Sequence, residues 1–159
     1  IPLSKLVLGV PTYGHSSKVN PTSAFHGTSL VAYPPFNKAV HVQGDSWTSG
    51  AGVDQCGKQT APDDTVKFWS LVAQGYLKDD GTPGKDIAYR FDSCSRTAYV
   101  YDKAKQVMVS FDDAKSFAAK GKFIKDAGIA GFSMWLAGGD HKDILLDSIR
   151  KAGGFPQKD

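Results

Sequence analysis

Two continuous apolar runs, one near each end of the chain, interrupt a mostly mixed pattern of hydrophobic and polar positions. The first covers residues 3–13 and is stopped by Pro11 and Gly14, and the second covers residues 129–136 and is followed by the pair Gly138 and Gly139. Unbroken runs of this kind are typical of strands that are covered on both faces, as in a parallel sheet. The pattern therefore predicts two buried strands.

Three other stretches have the spacing of amphipathic helices. The first covers residues 62–77 and opens with aspartates, the second follows Asp112 and Asp113 and closes at Gly128, and the third begins at Asp140 and ends at Gly153. Aspartate accepts hydrogen bonds from first-turn amides, and glycine tolerates the left-handed backbone that ends a helix. A helix, a strand and a helix are thus expected in that order at the end of the chain.

The middle of the chain has a looser texture. Residues 16–62 are rich in Gly, Ser, Thr and Pro with single aromatics, which favours loops and short strands. Residues 87–91, 97–101 and 106–111 are rich in β-branched and aromatic residues and are separated by polar turns, which predicts a β-hairpin. Buried strands and helices at both ends, with this block between them, predict an α/β fold that carries an α+β insertion.

Composition narrows the classes of function. The 19 Lys and Arg are scattered along the chain and the net charge is only +3, which argues against nucleic acid as a partner. No apolar run reaches the about 20 residues of a membrane span, so no membrane partner is expected. No phosphate-binding loop or set of metal ligands at useful spacing is present, and neither a cofactor nor a metal is predicted. All 16 acidic residues are Asp.

Cys56 and Cys94 are the only cysteines, and both lie in polar, turn-like segments. These settings fit best with a surface disulfide bond in an oxidising compartment, and therefore with a secreted protein, whereas the even count alone favours neither state. A bridge between them would stabilise the fold by about 3 to 4 kcal/mol in the chain-entropy model. The alternative is two unpaired thiols in a cytosolic protein.

Two motifs carry a resemblance to a known family. Residues 5–16 read Lys-Leu-Val-Leu-Gly-Val-Pro-Thr-Tyr-Gly-His-Ser and resemble the seventh barrel strand of the family-18 glycoside hydrolases, the chitinases, which runs into Tyr-Gly-X-Ser. Residues 99–135 resemble the same family from a hairpin, through a helix, to the eighth strand and its Trp. The resemblance covers almost the whole chain, and the motif sequences are similar to those of fungal members.

This resemblance implies a partial TIM barrel, consisting of its last two βα units, that carries a chitinase insertion domain. Residues 1–15 would be barrel strand seven, residues 16–108 the α+β insertion domain, and residues 109–159 helix seven, strand eight and helix eight. The family's catalytic signature, Asp-X-X-Asp-X-Asp-X-Glu after the fourth strand, is absent, and the chain contains no Glu. No catalytic residue is therefore assigned, and the chain alone is predicted not to hydrolyse glycosidic bonds.

The resemblance also implies a substrate-binding set of three residues. Trp135 would form the apolar floor under a sugar ring, and its alternative is plain core packing. Tyr13 would hydrogen-bond the substrate through its hydroxyl, and its alternative is an ordinary buried tyrosine. His15 stands where many family members have Arg and would contact sugar hydroxyls, and its alternative is a solvent-exposed histidine.

Three further aromatics, Tyr33, Phe36 and Trp47, lie in the loop-rich segment. They could extend a glycan groove, although the composition favours a role in the core of a small α+β unit. The expected ligand is chitin or an N-acetylglucosamine oligosaccharide. The chain is expected to act either as part of a chitinase or as a free-standing lectin or immunomodulatory interaction protein. Either way, two barrel strands alone leave open edges, so a homodimer or an N-terminal barrel chain is the expected partner.

Overall fold

The computed structural model describes residues 1–156, in which a five-stranded antiparallel sheet and a two-stranded parallel sheet pack against helices. The strands are β1 (Val7–Pro11), β2 (Tyr13–Lys18), β3 (Phe25–His26), β4 (Ser29–Leu30), β5 (Gly52–Val53), β6 (Gln59–Thr60), β7 (Thr65–Lys67), β8 (Ile87–Asp92), β9 (Thr97–Asp102), β10 (Val107–Phe111) and β11 (Gly131–Trp135). The α-helices are α1 (Pro21–Ala24), α2 (Phe68–Ala73), α3 (Ala114–Ala127) and α4 (Ile144–Gly153).

The two apolar runs form the parallel pair β1 and β11, in a register that places Val7 opposite Gly131 and Pro11 opposite Trp135. One face of the pair packs on the main core, with Val10 buried and Met134 against it. The opposite face is open, and Val7 is 58% exposed there. The prediction of strands covered on both faces is therefore wrong for these residues, because the helices of this chain cover one side only.

Helices α3 and α4 follow their capping residues. The Asp113 carboxylate accepts a hydrogen bond of 2.9 Å from the Ser116 amide at the start of α3, and Gly128 ends the helix in the left-handed conformation. Both features confirm the predicted second helix. The third helix begins later than predicted, at Ile144, but the Asp140 carboxylate still accepts from two amides of its first turn.

The helix predicted for residues 62–77 is wrong over its first part. Residues Thr65–Lys67 form β7, which pairs with β2, and only Phe68–Ala73 is helical. The Asp63 carboxylate accepts from the Thr65 amide, but it does so in a turn that leads into a strand. Pairing with β2, which is distant in sequence, outweighed the local helix signal.

The larger sheet has the order β7-β2-β10-β9-β8, and β8, β9 and β10 form the predicted antiparallel hairpin, extended to a three-stranded meander. One face of this sheet packs against the helices and forms the main core with them. The fully buried residues of that core include Val100 and Val109 of the sheet and Phe117 of α3. The other face packs at one end on residues 19–32. Strand β2 follows β1 after a single residue, and the division at residues 15 and 108 stays a prediction.

The predicted disulfide is wrong: Cys56 and Cys94 are free and exposed. Cys56 lies in the turn between β5 and β6, where its amide donates to Asp54, and Cys94 lies in the turn between β8 and β9. A bridge would require the tips of two separate hairpins to meet. Since the expected secretion depended partly on this bridge, secretion stays a prediction that now has less support.

Among residues 1–156, no helix has the length and apolar character needed to cross a membrane.

Candidate functional site

The site is organised around Thr12, the single residue between β1 and β2. Its amide donates to the Trp135 carbonyl at 2.9 Å, its hydroxyl donates to the Leu136 carbonyl, and its own carbonyl accepts from the Phe68 amide at 2.9 Å. Thr12 is fully buried. An added Cβ on Gly139 would come within 2.3 Å of the Thr12 hydroxyl, so this approach requires glycine. Three segments that are distant in sequence therefore meet at one point.

Trp135 is the last residue of β11 and lies opposite Pro11. Within residues 1–156 Trp135 is 73% exposed and does not pack in a core, and it lies on the open face of the pair together with Val7. The peptide bond that follows it is cis. Because Trp135 ends β11, its large, flat, apolar ring lies at the carboxyl end of the parallel pair, where α/β proteins commonly bind their ligands.

Tyr13 and His15 lie on the same face of β2, two residues apart. Their rings meet edge to face with centroids 5.7 Å apart, and His15 Nδ1 lies 2.8 Å from the Asp64 carboxylate. Within the described part of the chain, the Tyr13 hydroxyl has no hydrogen-bond partner, which argues against an ordinary buried tyrosine. The backbone of Trp135 is joined to that of Tyr13 through Thr12, but the cavities that Tyr13 and His15 line do not include Trp135.

Two open cavities continue from these residues over the outer face of the larger sheet. One, of about 240 Å³, is lined by Pro11, Tyr13 and Asp112 among others. The next, of about 460 Å³, is lined by aromatic and hydroxyl side chains that include Tyr33, Tyr99 and Ser110, and also by the aliphatic Val19, Pro34 and Met108. Apolar ring faces next to hydroxyl groups suit a ligand that has both an apolar face and hydrogen-bonding groups.

The composition-based prediction that Tyr33, Phe36 and Trp47 belong to a core is wrong, because each is at least half exposed. The Tyr33 ring instead contacts the ring of the buried Tyr99 edge to face, with the ring centroids 5.8 Å apart. No pattern in the sequence distinguished these two outcomes.

Asp112 is the carboxyl group that lines the smaller cavity. Burial raises its pKa, the neighbouring Asp113 raises it further, and the ion pair with Lys120 only partly offsets this. The Asp112 carboxylate is held by Lys120, which fits a structural role at the start of α3. Within residues 1–156, no group of three or more His, Cys or acidic residues could hold a metal ion.

A wider depression of about 1060 Å³ lies over α3, lined by Arg96, Lys122 and Phe123 among others. None of Tyr13, His15 and Trp135 contributes to it. Its size reflects an open surface between α3 and a hairpin turn. The aromatic region at the strand ends, although smaller in volume, is the site that the geometry favours.

Comparison with curated proteins places this chain among chitinase-like sequences. It is 57% identical over 157 residues to a chitinase-like effector of Moniliophthora perniciosa and 49% identical over 158 residues to one of Moniliophthora roreri. Each alignment covers 98% of this chain but only 35% and 38% of the relative. The chain therefore spans little more than a third of the length of these relatives.

Solved structures give the same fold. A chitinase of Rhizomucor miehei superposes with a TM-score of 0.76 at 27% identity, over 96% of this chain and 40% of that one. A chitinase-like agglutinin of Robinia pseudoacacia superposes with a TM-score of 0.64 at 22% identity, over 97% of this chain and 34% of that one, which supports the fold alone. The model of the glycosyl hydrolases family 18 matches residues 1–140, and the chain therefore belongs to that family.

Proposed function

We propose that this chain forms the glycan-binding wall of a chitinase-like protein and binds chitin or N-acetylglucosamine oligomers without cleaving them by itself. The observation that carries the proposal is the exposed indole of Trp135, joined through Thr12 to Tyr13. An indole matches the apolar C–H face of a pyranose. The Tyr13 hydroxyl and the His15 ring next to it offer hydrogen bonds to sugar hydroxyls.

In this proposal β1 and β11 are strands seven and eight of a TIM barrel, and the five-stranded sheet with its loops is the insertion domain between them. The parallel pairing of β1 with β11, and the Trp at the end of β11, support the assignment. The open face of the pair is then the side that six further strands would cover. An N-terminal barrel chain would supply them.

The absence of Glu supports the non-catalytic part of the proposal. In family-18 enzymes the acetamido group of the substrate acts as the nucleophile, but a carboxylic acid must still protonate the leaving group. The family supplies that acid from a motif that this chain lacks. Asp112, which lies near Tyr13, is already paired with Lys120.

The alternative is that the chain is a free-standing lectin or an interaction protein. The names of similar proteins support this alternative. Two of them are described as chitinase-like effectors, and one structural neighbour is an agglutinin. Complexes of a Cycas revoluta chitinase with N-acetylglucosamine oligomers supply the ligand class for the fold. The lectin would use the same aromatic surface, whereas the interaction protein would bind through the surface of the insertion instead.

Titration of the 159-residue protein with N-acetylglucosamine oligomers, followed by calorimetry and tryptophan emission, tests the proposal. Trp135→Ala should weaken binding about tenfold or more, because an aromatic contact of about 1.5 kcal/mol corresponds to that factor. Phe123→Ala removes a comparably exposed ring from α3 and should leave binding unchanged.

Hydrolysis is measured on the same material with a fluorogenic oligomer. We expect hydrolysis to be no faster than in buffer without the protein. An endochitinase rate from pure protein would contradict the non-catalytic assignment, and a wild-type protein that binds no oligomer would overturn the glycan-binding role and favour the interaction protein.

A further inference from the structure

The depression over α3, the α3 depression, combines small apolar residues with one exposed ring. It is lined by Ala118 and Ala119 of α3 and by Ala152 of α4, all three half-buried. Phe123 lines it as well and is 55% exposed. Alanines next to an exposed ring leave room for one apolar side chain of a ligand.

Basic groups outnumber acidic ones in the α3 depression. Arg96, Lys120, Lys122 and Lys125 line it together with a single acidic residue, Asp126. The Asp126 carboxylate already pairs with Lys122 at 2.6 Å, and Lys120 pairs with a carboxylate outside the depression. Within residues 1–156, Arg96 and Lys125 have no ion-pair partner. The depression therefore carries two unpaired positive charges.

The elements that carry these two charges are themselves ordered. Lys125 lies in the last turn of α3. Arg96 lies in the turn between β8 and β9, where its amide donates to the Asp92 carbonyl at 2.8 Å. The Asp92 carboxylate also accepts from the amide and the hydroxyl of Ser95. A turn fixed in this way loses little conformational entropy when a ligand binds.

The α3 depression lies on the side of α3 that faces away from the core. Phe117, Gly121 and Ile124 are the buried residues of one side, and helical spacing places Ala119 and Lys122 on the opposite side. In a TIM barrel the helices form the outer ring, so this side of α3 points outward even when all eight strands are present. The depression is therefore independent of the proposed glycan site.

We propose that the α3 depression binds an acidic segment of a partner protein. The segment inserts one apolar side chain beside Phe123 and places its carboxylates next to Arg96 and Lys125. Positive charge selects an anionic partner, and the apolar lining favours a peptide over a nucleic acid, because a phosphate backbone has no apolar side chain to insert. A second copy of this chain docked face to face would bring like charges together.

Fluorescence anisotropy with a labelled peptide of four glutamates around one phenylalanine tests the inference. Arg96→Gln and Lys125→Gln should each weaken binding about 2- to 5-fold, and Phe123→Ala about 3- to 10-fold. Lys103→Gln is the matched control, because it removes an exposed charge at the other end of β9 and should leave binding unchanged. Thermal unfolding shows whether each variant is folded.

Two altered peptides separate charge from apolar contact. Replacing the glutamates by glutamine removes the charges, replacing the phenylalanine by alanine removes the inserted ring, and each change should weaken binding. An acidic peptide that does not bind the wild type at about 1 mM would overturn the inference. So would an equal loss for Lys103→Gln, which indicates general charge attraction, or tighter binding of a single-stranded oligonucleotide of equal charge.

The free cysteines locate the bound peptide. Cys94 lies in the same turn as Arg96, whereas Cys56 lies in the turn between β5 and β6, and both are exposed. An environment-sensitive dye on Cys94 in Cys56→Ser should change its emission when the peptide binds, and a dye on Cys56 in Cys94→Ser should not. A response at Cys56 alone would place the peptide elsewhere and contradict the inference. Because the readout is peptide binding, its failure leaves the glycan-binding wall untouched.

Discussion

Single residues at the strand ends differ in how far the sequence could assign them. Trp135 was identified through its motif, and its exposure follows from its place at the end of β11. Trp47 had no such signal, because a tryptophan in a Gly- and Ser-rich loop is equally compatible with a core position. The Asp45 carboxylate, reached from β7 by the Lys67 amide, holds the loop in place. That contact joins residues that are distant in sequence.

At this scale Tyr89→Phe should destabilise the protein. The Tyr89 hydroxyl donates at 2.6 Å to Asp113, the buried carboxylate that caps α3. Removing a hydrogen bond to a charged group costs about 1.5 to 3 kcal/mol, and urea unfolding at neutral pH measures this loss of stability. Phe117→Leu, a core change of another kind, provides a reference for simple loss of packing.

The hydrogen bond between Tyr89 and Asp113 also makes the difference in stability between the wild type and Tyr89→Phe depend on pH. Burial, and then the hydrogen bond to Asp113, raise the pKa of Tyr89 above its usual value of 10.0. Because the pKa of Tyr89 is higher in the folded state, its contribution to the free energy of unfolding is fully present below pH 10. That contribution is lost as the pH rises through the pKa of the folded state. The gap between wild type and Tyr89→Phe should therefore stay constant up to about pH 10 and narrow above it. A gap that is unchanged at alkaline pH would contradict the role of this bond.

Secondary-structure elements were predictable where their signals are local. Asp113 and Gly128 mark the two ends of α3, and both work through groups within four residues along the chain. Strand β7 was missed because its partner, β2, lies some fifty residues earlier and its apolar residues have helical spacing. The close contact of α3 with α4 also depends on a residue that no helix propensity favours, Gly121.

Gly121→Ala should destabilise the protein although alanine is the better helix former. An added Cβ would lie 2.5 Å from the Ile149 carbonyl oxygen and 3.0 Å from the Gly153 amide, both backbone atoms of α4. Because these backbone atoms cannot move aside easily, we expect strain near the upper end of the range for overpacking, about 3 kcal/mol, which outweighs the about 1 kcal/mol that alanine contributes to helix stability. Thermal or urea unfolding is the measurement.

Gly9→Ala is the control for this change. Within the described residues nothing lies within 4 Å of an added Cβ at Gly9, so its effect should stay within about 0.5 kcal/mol. If the two variants were equally stable, close packing of α3 on α4 would not be what requires Gly121.

The whole molecule exposes a parallel pair of strands with one open face. Val7 is 58% exposed on that face, and β1 and β11 pair only with each other within residues 1–156. Unpaired strand edges and exposed apolar residues favour association. The partner proposed above, a second copy or an N-terminal barrel chain, would cover both.

We expect the purified chain to self-associate in sedimentation equilibrium. Val7→Lys places a charge on the open face and should weaken association about tenfold or more, since burying an unpaired charge is strongly unfavourable. Val53→Lys changes a residue of nearly the same exposure, 59%, on the β5–β6 hairpin and should have no effect. A monodisperse monomer at high concentration would contradict the prediction.

The sequence by itself determined the family, the parallel-type strands, the caps of α3 and the absence of any Glu, because each of these is written in residue type and short-range spacing. Tertiary structure decided that Cys56 and Cys94 stay apart, that residues 65–67 join a sheet, and that Trp47 lies exposed beside the turn that follows Trp135. These outcomes depend on contacts between segments that are distant in sequence. Thr12 shows the difference most directly, since a lone threonine between two strands gives no signal, yet its three hydrogen bonds join the end of β11 and the start of α2 to the β1–β2 junction.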